Sequence, residues 1–594
     1  MTQWGNTIDK DNVLQEYPRP NLVRESYLNL NGLWEYAISR SKEVTSYDGK
    51  ILVPFSPETY LSGVERIVKP EEYLHYRKTF SVPDDFVRER VLLHFGAVDQ
   101  ECEVYLNGIY IGDHRGGYLP FRFEVTNQLQ KGVNTLTLRV KDRTEYAPHA
   151  RGKQKLIKKG KMSSLFYTPQ SGIWKTVWME SVPELYIEDL KITPLFDEKA
   201  VKFYVCAKRR EEMDLKILAD GKTIVSVTAR SNEEVVVSIP NMHPWTTEDP
   251  YLYDVKITLG NDQVSSYFGM RKVSVERDGR GILRFFLNHK PFFYNGILDQ
   301  GYWPEGLMTA PSDAALIYDI RKLKELGYNT IRKHVKVETE RFYYHCDRLG
   351  MMVWQDMPNG GGDYRMWFVT YLPNGLEWLG RTVKDHHYRL FQRSDKAGRK
   401  QYYEDLEGMI SLLYHHPSIA VWVPFNEGWG QFDASEATAR IRNLDHTRLV
   451  NEACGWYDQH GGDIYSIHNY LRKLKVKAKD RVVALTEYGG YTCPVRSHMA
   501  CEKKFGYQHY HSEQELTENY RRLWKEEIFP NIERGLSGII YTQISDIEEE
   551  INGLMTYDRQ VSKFNEEVIR TLNQRLYQYF EKITADSGVP YTER

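Results

Sequence analysis

The chain has 594 residues, roughly three to four times the length of a typical domain, so several domains are expected. Hydrophobic residues make up 41% and charged residues 27% of it, and the net charge of -2 excludes a strong attraction to nucleic acid or acidic lipid. The six cysteines include no CxxC pair, which is typical of reduced thiols and not of a zinc or disulfide framework. The start, MTQWGNTIDKD, has no apolar core, and no run reaches the ~18 apolar residues of a membrane span, so we expect a cytoplasmic protein without a leader or membrane segment.

Residues 1–185 are predicted to form an all-β domain. Short alternating runs such as 91–96 and 102–106 recur, and an Asn-Gly pair at 107–108 supplies a hairpin turn. Residues 186–278 show the same pattern over about 90 residues, which is the size of an immunoglobulin-like β-sandwich.

Residues 279–594 alternate strand-like runs with helical patterns, which predicts parallel βα units. A helix is predicted over 313–326, with Ser312 as its N-cap and Gly327 at its C-terminus. The segment 359–399 is long for a loop and is expected to be functional or disordered. The strand candidates are 292–297, 329–333, 351–355, 419–425, 447–452, 464–468, 482–486 and 537–543. Eight strands in about 300 residues fit a C-terminal (β/α)8 TIM barrel.

Two of these candidate strands end in a glutamate. The fourth, AVWVPF, is followed by Asn426 and Glu427, and the seventh, VVALT, is followed by Glu487. In a closed barrel these ends face each other across the mouth, where such barrels hold their active sites. Glycoside hydrolysis needs two facing carboxyl groups, one protonated for the leaving oxygen and one ionised to attack the anomeric carbon or activate water. Each glutamate could instead close an ion pair at the rim, but the apolar strands and neighbouring asparagine and glycines favour catalysis.

Motifs spread over nearly the whole chain match one family. They are Arg19-Pro20, Leu30-Asn31-Gly32-Leu33-Trp34, Tyr76-Arg77-Lys78, Ser171-Gly172-Ile173-Trp174, Asn329-Thr330-Ile331-Arg332, His416-Pro417-Ser418-Ile419, Asn426-Glu427 and Thr486-Glu487-Tyr488-Gly489-Gly490. Together they resemble glycoside hydrolase family 2, which includes β-galactosidases, β-glucuronidases and β-mannosidases. The resemblance implies a multidomain fold: a sugar-binding-like β jelly-roll over 1–185, an immunoglobulin-like β-sandwich over 186–278 and a catalytic (β/α)8 barrel over 279–594.

The resemblance also implies a double displacement with retention of configuration. Glu427 would be the acid/base, and Glu487 would be the nucleophile that forms a glycosyl-enzyme intermediate. Asn426 would hold the sugar 2-OH, and Tyr470 would hydrogen-bond the nucleophile. Retaining chemistry predicts carboxyl groups about 5–5.5 Å apart.

Further residues at predicted strand ends are expected to line the sugar pocket. They are Asp299, Gln300, Arg332, His334, Trp354, Asp356, Trp456 and His468. Arg332 could instead be a structural partner of a barrel glutamate, and His334 could be a satisfied buried histidine. Either tryptophan could belong to the core, although Trp456 follows a glycine at a strand end, where a platform for a sugar ring is expected.

Three departures from the family limit the choice of sugar. The Asn-x-Lys-Gly element that grips a uronate carboxylate in β-glucuronidases is Glu-Ile-Asn-Gly at 550–553 here, and Glu550 would repel a carboxylate, although another basic residue could substitute. Residues 356–359 lack the Glu-x-His pair that binds magnesium in large β-galactosidases, so we expect no metal and no cofactor. The eighth strand ends without the tryptophan often found there, and Gln543 and Asp546 could contact the sugar instead.

These features predict an exo-β-glycosidase acting on a carbohydrate or glycoside, with β-galactosidase first, β-glucosidase close behind and β-glucuronidase third. The basic run 151–161 is expected to be a solvated loop, or else to reach the barrel mouth and contact an acidic substrate or aglycone. The acidic run 548–550 is expected to be exposed or to bind a polar leaving sugar. A non-catalytic carbohydrate-binding protein is the alternative of another class, which the presence of both carboxylates disfavours. We expect neither nucleic acid nor a membrane as partner, and leave a dimer or tetramer of this chain open.

Overall fold

The structure is a computed structural model that describes residues 1–83, 85–156, 165–375, 380–502 and 504–585. Two antiparallel β domains are followed by a parallel eight-stranded barrel, which confirms the predicted fold class. Residues 157–161 of the basic run lie outside the described residues.

The first domain packs a four-stranded antiparallel sheet against a six-stranded one, with a short two-stranded pair beside them. Trp34, Tyr76 and Val104 belong to the buried cluster of this domain. Buried and half-buried residues alternate along Val133–Lys141, as expected for a sheet with one face on the core. The strands are Leu28–Asn29, Gly32–Ser39, Gly49–Val53, Tyr73–Ser81, Arg90–Phe95, Val98–Asp99, Glu101–Leu106, Ile109–Arg115, Phe121–Glu124, Val133–Lys141, Gly172–Ile173 and Val177–Val182.

The second domain is a sandwich of a three-stranded and a four-stranded antiparallel sheet. Its buried cluster includes Phe203, Leu215 and Ile257, which come from both sheets. The strands are Ile187–Leu195, Ala200–Ala207, Glu212–Ala219, Lys222–Arg230, Glu234–Ser238, Tyr253–Leu259 and Asp262–Phe268.

A three-stranded antiparallel sheet lies under the barrel and spans the predicted boundary at 278/279. Phe285 of this sheet packs against Tyr294 and Trp354 of the barrel, with ring centroids 4.7 and 6.0 Å away. The sheet therefore closes the end of the barrel at which the first strand begins. Its strands are Val273–Arg277, Leu283–Leu287 and Lys290–Phe292.

The barrel strands are Tyr294–Asp299, Thr330–Lys333, Met352–Asp356, Ile419–Val423, Leu449–Val450, Ile464–Asn469, Val482–Gly489 and Leu536–Thr542. All pairings between them are parallel, and the eighth strand lies between the first and the seventh. The fifth and sixth strands are joined by a hydrogen bond from Asp463 N to Val450 O at 2.8 Å. Every predicted strand is present, with ends that differ by a few residues.

The described helices are Asp313–Glu325, Glu340–Leu349, Leu372–Gly375, Lys396–Leu413, Ala434–Leu444, Glu513–Leu523, Phe529–Ile532 and Glu566–Ala585, with π-helical turns at Trp367–Tyr371 and Trp524–Ile528 and 3-10 turns at Gly5–Thr7, Thr144–Tyr146 and Arg496–His498. The predicted first helix is confirmed, because the hydroxyl of Ser312 accepts from Ala315 N at 3.2 Å and Gly327 adopts a φ of +87° after its last turn. The long segment 359–399 contains helical turns in its described part. Among the helices that are described, none has the length and apolar character needed to span a bilayer.

Candidate active site

The two strand-end glutamates meet at the mouth of the barrel. Glu427 follows the fourth strand in a left-handed backbone conformation with a φ of +52°, and Glu487 lies within the seventh strand. An oxygen of each carboxyl group and a ring nitrogen of His468 all lie within 4.8 Å of one another. Both glutamates are more than nine-tenths buried, so their charges interact through little water.

Glu487 is surrounded by groups that stabilise its ionised form. Arg332 Nη1 donates to Oε1 at 3.0 Å, and the hydroxyl of Tyr470 donates to Oε2 at 2.6 Å. Burial raises the pKa of Glu487, but the positive charges of His468 and Arg332 and the Tyr470 hydrogen bond outweigh it and hold this pKa at about 2. Glu487 is therefore ionised near neutral pH and can act as a nucleophile.

Glu427 has the opposite electrostatic environment. Burial and the nearby charge of Glu487 raise the pKa of Glu427, and the contact with His468 only partly opposes the rise. The two carboxyl groups are thus driven to different protonation states, as acid/base catalysis requires.

His468 lies between the two carboxyl groups. Its Nδ1 is 2.7 Å from Glu427 Oε1 and 3.6 Å from Glu487 Oε2, and its Nε2 is 3.3 Å from Cys454 Sγ. Burial lowers the pKa of His468, but the charge of Glu487 and the contacts with Cys454 and Glu427 raise it to about 10. His468 therefore carries a proton and donates from Nδ1 to Glu427 Oε1.

Arg332 connects three polar side chains of the site. Its guanidinium donates to both carboxylate oxygens of Asp356 at 3.0 and 2.9 Å, and to Asn426 Oδ1 at 2.7 Å as well as to Glu487. Because Asn426 uses its oxygen for Arg332, its buried Nδ2 has no acceptor within the described structure. That amide can donate to a hydroxyl of a bound sugar.

The structure places the remaining predicted pocket residues in different environments. His334 Nδ1 lies 2.9 Å from Asp356 Oδ2. Burial lowers the pKa of His334 to about 4, so this histidine is neutral near pH 7. Trp456 packs edge-on against His468 with ring centroids 6.0 Å apart, at the mouth. Trp354, in contrast, packs below the mouth against the closing sheet.

Asp299 is not brought to the glutamates. Its carboxylate accepts from Lys333 Nζ at 2.6 Å and from Gly301 N at 2.7 Å, in a buried ion-pair cluster with Glu338. Lys333 alternates with the inward-facing Arg332, so this cluster faces the helices outside the barrel. The structure thus pairs Asp299 with Lys333 outside the barrel lumen, and Asp299 is not among the residues that we propose to touch the sugar.

Two residues near the site carried no signal in the sequence. Cys454 contacts His468, and Tyr507 stacks on Tyr470 with ring centroids 3.7 Å apart and ring planes 9° apart. Both come from irregular segments whose course is set by the surrounding fold. Their position could have been inferred only from a structure.

A hydrogen-bonded chain fills the region where the family places its uronate-binding element. Tyr167 of the first domain donates to Glu550 Oε2, and Asn552 Nδ2 donates to Glu550 Oε1 at 2.9 Å. Gln543 Nε2 donates to Asn552 Oδ1 at 2.8 Å, and Gln300 Nε2 donates to Gln543 Oε1 at 2.7 Å. Glu550 is 3% exposed. This glutamate of the acidic run is therefore internal, not solvated.

Among the described residues, one group offers three suitable ligand atoms for a metal ion. It consists of Glu427, His468 and Glu487. A cation there would compete with the proton of His468 and with the charge of Arg332, which already balance the glutamates.

Three family models match the chain in consecutive segments. The galactose-binding domain-like model of glycosyl hydrolase 2 matches residues 55–174, the glycosyl hydrolases family 2 model matches 185–271 and the TIM barrel model of that family matches 282–526. Solved structures with the same fold include a β-D-glucuronidase of Dictyoglomus thermophilum, with a TM-score of 0.72 and 19% identity over 95% of this chain and 98% of the other. A β-galacturonidase of Eisenbergiella tayi has a TM-score of 0.69 and 17% identity over 94% and 98%.

Curated relatives carry two activities in their names. A β-galactosidase of Thermoanaerobacter pseudethanolicus is 24% identical over 504 residues, which cover 79% of this chain and 62% of the relative. A β-glucuronidase of Streptococcus agalactiae is 23% identical over 539 residues, covering 80% of this chain and 84% of the relative. The family models cover both β domains and most of the barrel, and the chain belongs to glycoside hydrolase family 2.

Proposed function

We propose that this protein is a retaining exo-β-glycosidase that removes a terminal β-linked sugar by double displacement. The observation that carries the proposal is the pair Glu427 and Glu487, in which one carboxyl oxygen of each lies within 4.8 Å of the other and the two pKa values are shifted in opposite directions. Retaining enzymes hold these groups about 5–5.5 Å apart, whereas inverting enzymes need about 6.5–9.5 Å to admit a water molecule.

In the first step Glu487 attacks the anomeric carbon while Glu427 gives its proton to the leaving oxygen. The glycosidic bond breaks, and an ester bond forms between the sugar and Glu487. Since His468 donates to Oε1 of Glu427, the transferable proton resides on Oε2. In the second step Glu427 takes a proton from water, whose oxygen attacks the anomeric carbon and releases Glu487.

Neighbouring side chains hold the reacting groups in place. Tyr470 and Arg332 fix one oxygen each of Glu487, which restricts rotation of the nucleophile. The free Nδ2 of Asn426 is available to the sugar 2-OH, a contact that would strengthen as charge develops at the neighbouring anomeric carbon. A carbohydrate-binding protein without catalysis would not require this separation of proton affinities, so we favour the enzyme over that alternative.

For the sugar, the relatives support two classes. The sequence places β-galactoside first, with β-glucoside and β-glucuronide behind it, and a β-galactosidase is among the curated relatives. The β-glucuronidase relative and the uronidases among the similar structures support a uronide instead. A neutral terminal hexose and a uronic acid are therefore the two candidates.

The test is hydrolysis of p-nitrophenyl β- and α-glycosides by the wild type and by Glu427→Ala and Glu487→Ala. We expect a β-glycoside to be cleaved, and Glu487→Ala to lose at least about three orders of magnitude in kcat/KM because it removes the nucleophile. Glu427→Ala should lose about two orders of magnitude or more in kcat, because p-nitrophenolate leaves without a proton but water must then attack the intermediate without a base. Added azide should rescue Glu427→Ala to the β-glycosyl azide and Glu487→Ala to the α-glycosyl azide. Activity on α-glycosides alone, or near-normal turnover by Glu487→Ala, would refute the proposal.

A further inference from the structure

A loop of the first domain, 151–156, lies against the barrel mouth. The Arg151 guanidinium donates to the carbonyl of Gly361, beyond the third strand, at 2.6 Å. Gly152 has a φ of +61°, and a Cβ there would lie 2.8 Å from the carbonyl oxygen of Val335, beyond the second strand. The loop thus lies so close to the barrel backbone at Gly152 that a side chain there would not fit.

The three cationic side chains of this loop differ in the groups that they contact. Arg151 is bound to barrel carbonyls, and Lys155 Nζ pairs with Asp363 at 2.7 Å near the surface. Lys153 lies between them in the sequence and is 6% exposed. Its ammonium lies against aromatic rings, and no hydrogen-bond acceptor or ion-pair partner is found for it among the described residues. An ammonium that is largely removed from water and has no acceptor is unfavourable, and an anion bound beside it would offset that cost.

Lys153 faces the catalytic residues. Its ammonium lies 4.5 Å from the ring centroid of Trp429, two residues after Glu427, and 6.0 Å from that of Tyr167. Burial and Glu487 raise the pKa of Glu427, and the positive charge of Lys153 is among the influences that oppose this rise. The indole Nε1 of Trp429 is buried and has no acceptor among the residues that the structure describes, which places a second unused donor in the same region.

The region beyond the eighth strand offers no equivalent cation among its described residues. Glu550 and Asn552 are hydrogen-bonded to each other, and Lys563 Nζ is held by Asp546 at 2.7 Å and by the carbonyl of Ile551 at 2.7 Å. An anionic group of a substrate would therefore bind to Lys153 of the first domain instead.

We infer that Lys153 binds an anionic group of the substrate, a carboxylate carried either by the terminal sugar or by the aglycone. The inference rests on the proposed glycosidase function and adds a specificity-determining residue to it. Because the loop is held by the segments that follow the second and third barrel strands, the ammonium is positioned before the substrate arrives, which lowers the entropic cost of binding.

The experiment compares matched 4-methylumbelliferyl β-glycosides: galactoside with galacturonide, and glucoside with glucuronide. A 3-carboxyumbelliferyl β-galactoside and β-glucoside place the charge on the aglycone. The variants are Lys153→Met, which removes the charge, Lys153→Arg, which keeps it, and Lys155→Met, a control cation of the same loop. We expect Lys153→Met to lower kcat/KM for the anionic member of one pair about 10- to 100-fold, the loss of one charged hydrogen bond, with little change for its neutral partner. Lys153→Arg should keep most of the preference, and Lys155→Met all of it.

The outcomes separate the inference from the function on which it rests. Equal losses on neutral and anionic substrates, or a wild type that cleaves neutral glycosides only, would overturn the role of Lys153 and leave the glycosidase proposal intact. If the wild type cleaves no glycoside, the proposed function fails, and calorimetric titration with glucuronate, galacturonate, glucose and galactose decides about Lys153. Binding of an acid sugar that Lys153→Met abolishes would support the role, and no binding of either acid sugar would overturn it. Thermal unfolding of Lys153→Met checks that the variant is folded.

Discussion

His468 determines at the residue scale how the two carboxyl groups share their protons. Its protonated ring opposes the rise in the pKa of Glu427. Among the charges that lower the pKa of Glu487, the charge of His468 has the largest effect. Without this ring, two buried carboxyl groups at this short distance could not both keep useful proton affinities. A neutral replacement should therefore change the pH dependence as well as the rate.

His468→Asn should move the whole pH profile of kcat/KM to higher pH. The alkaline limb reports loss of the proton from Glu427, whose pKa rises when the positive charge disappears, and the acid limb reports protonation of Glu487, whose pKa rises for the same reason. A charge in direct contact shifts a pKa by roughly 1–3 units, so shifts of about one unit or more are expected. The measurement is the rate profile on a substrate that does not itself titrate.

Trp456→Phe is the matched control for this prediction, because Trp456 contacts the same imidazole ring without carrying a charge. It should alter the height of the profile but leave both limbs in place. Unmoved limbs in His468→Asn as well would show that His468 only supports the pocket mechanically.

The position of a single residue in the site could be predicted from the sequence where that residue belongs to a motif. The identity of Glu427, Glu487 and Asn426 as neighbours in one site follows from strand ends and from family motifs. The sequence does not reveal that Asp299 turns away from the site, because this depends on the pairing register that sets Asp299 beside Lys333. Nor does the sequence reveal that a protonated His468 lies between the two glutamates. The direction of its side chain depends on a register shift at Ile467/His468 in the sixth strand.

At the scale of elements, helices and strands were predicted well because their signals are local. Alternation, apolar runs and end signals such as Ser312 and Gly327 depend on neighbouring residues alone. The docking of residues 151–156 onto the barrel depends instead on contacts between segments some 200 residues apart in the chain, such as Arg151 with Gly361. No local pattern reports such a contact, so the sequence left the loop undecided between solvent and the barrel mouth.

The helix Asp313–Glu325 allows a test of capping. Ser312→Ala removes the acceptor of the Ala315 amide and should lower the free energy of local opening by about 1 kcal/mol. Hydrogen exchange of the first-turn amides should accelerate about fivefold. Thr339→Ala at the start of Glu340–Leu349 is the control, because the Thr339 side chain makes no cap hydrogen bond and its loss should change exchange less. Equal acceleration in both variants would contradict this account of the cap.

At the scale of the whole molecule, the two β domains and the barrel are joined by buried polar contacts. Arg24 of the first domain pairs with Asp262 of the second at 2.8 Å. Tyr267 of the second domain donates to Asp347 of the barrel at 2.7 Å, and Trp245 Nε1 donates to the Asp347 carbonyl at 2.7 Å. Since such groups lose their partners if one domain unfolds alone, the domains should stabilise one another.

Arg271, at the end of the second domain, is the clearest place to test this coupling. Its buried guanidinium donates to the barrel carbonyls of Pro417, Thr447 and Ile419 at 2.9, 2.9 and 2.8 Å. Arg271→Met leaves these acceptors without their donor at a cost of about 1–3 kcal/mol for each one that stays buried.

Calorimetric scans should then show a lower unfolding temperature for Arg271→Met. If the wild type unfolds in one transition, the variant should unfold in two, because the second domain is bound less tightly to the barrel. Arg277→Met is the matched control, because Arg277 is exposed and donates to the single exposed carbonyl of Gly281. Identical scans for Arg271→Met and the wild type would mean that the domains fold independently. In that case, the contacts that residues 151–156 make with the barrel would by themselves hold this loop at the barrel mouth, without help from the assembly of the three domains.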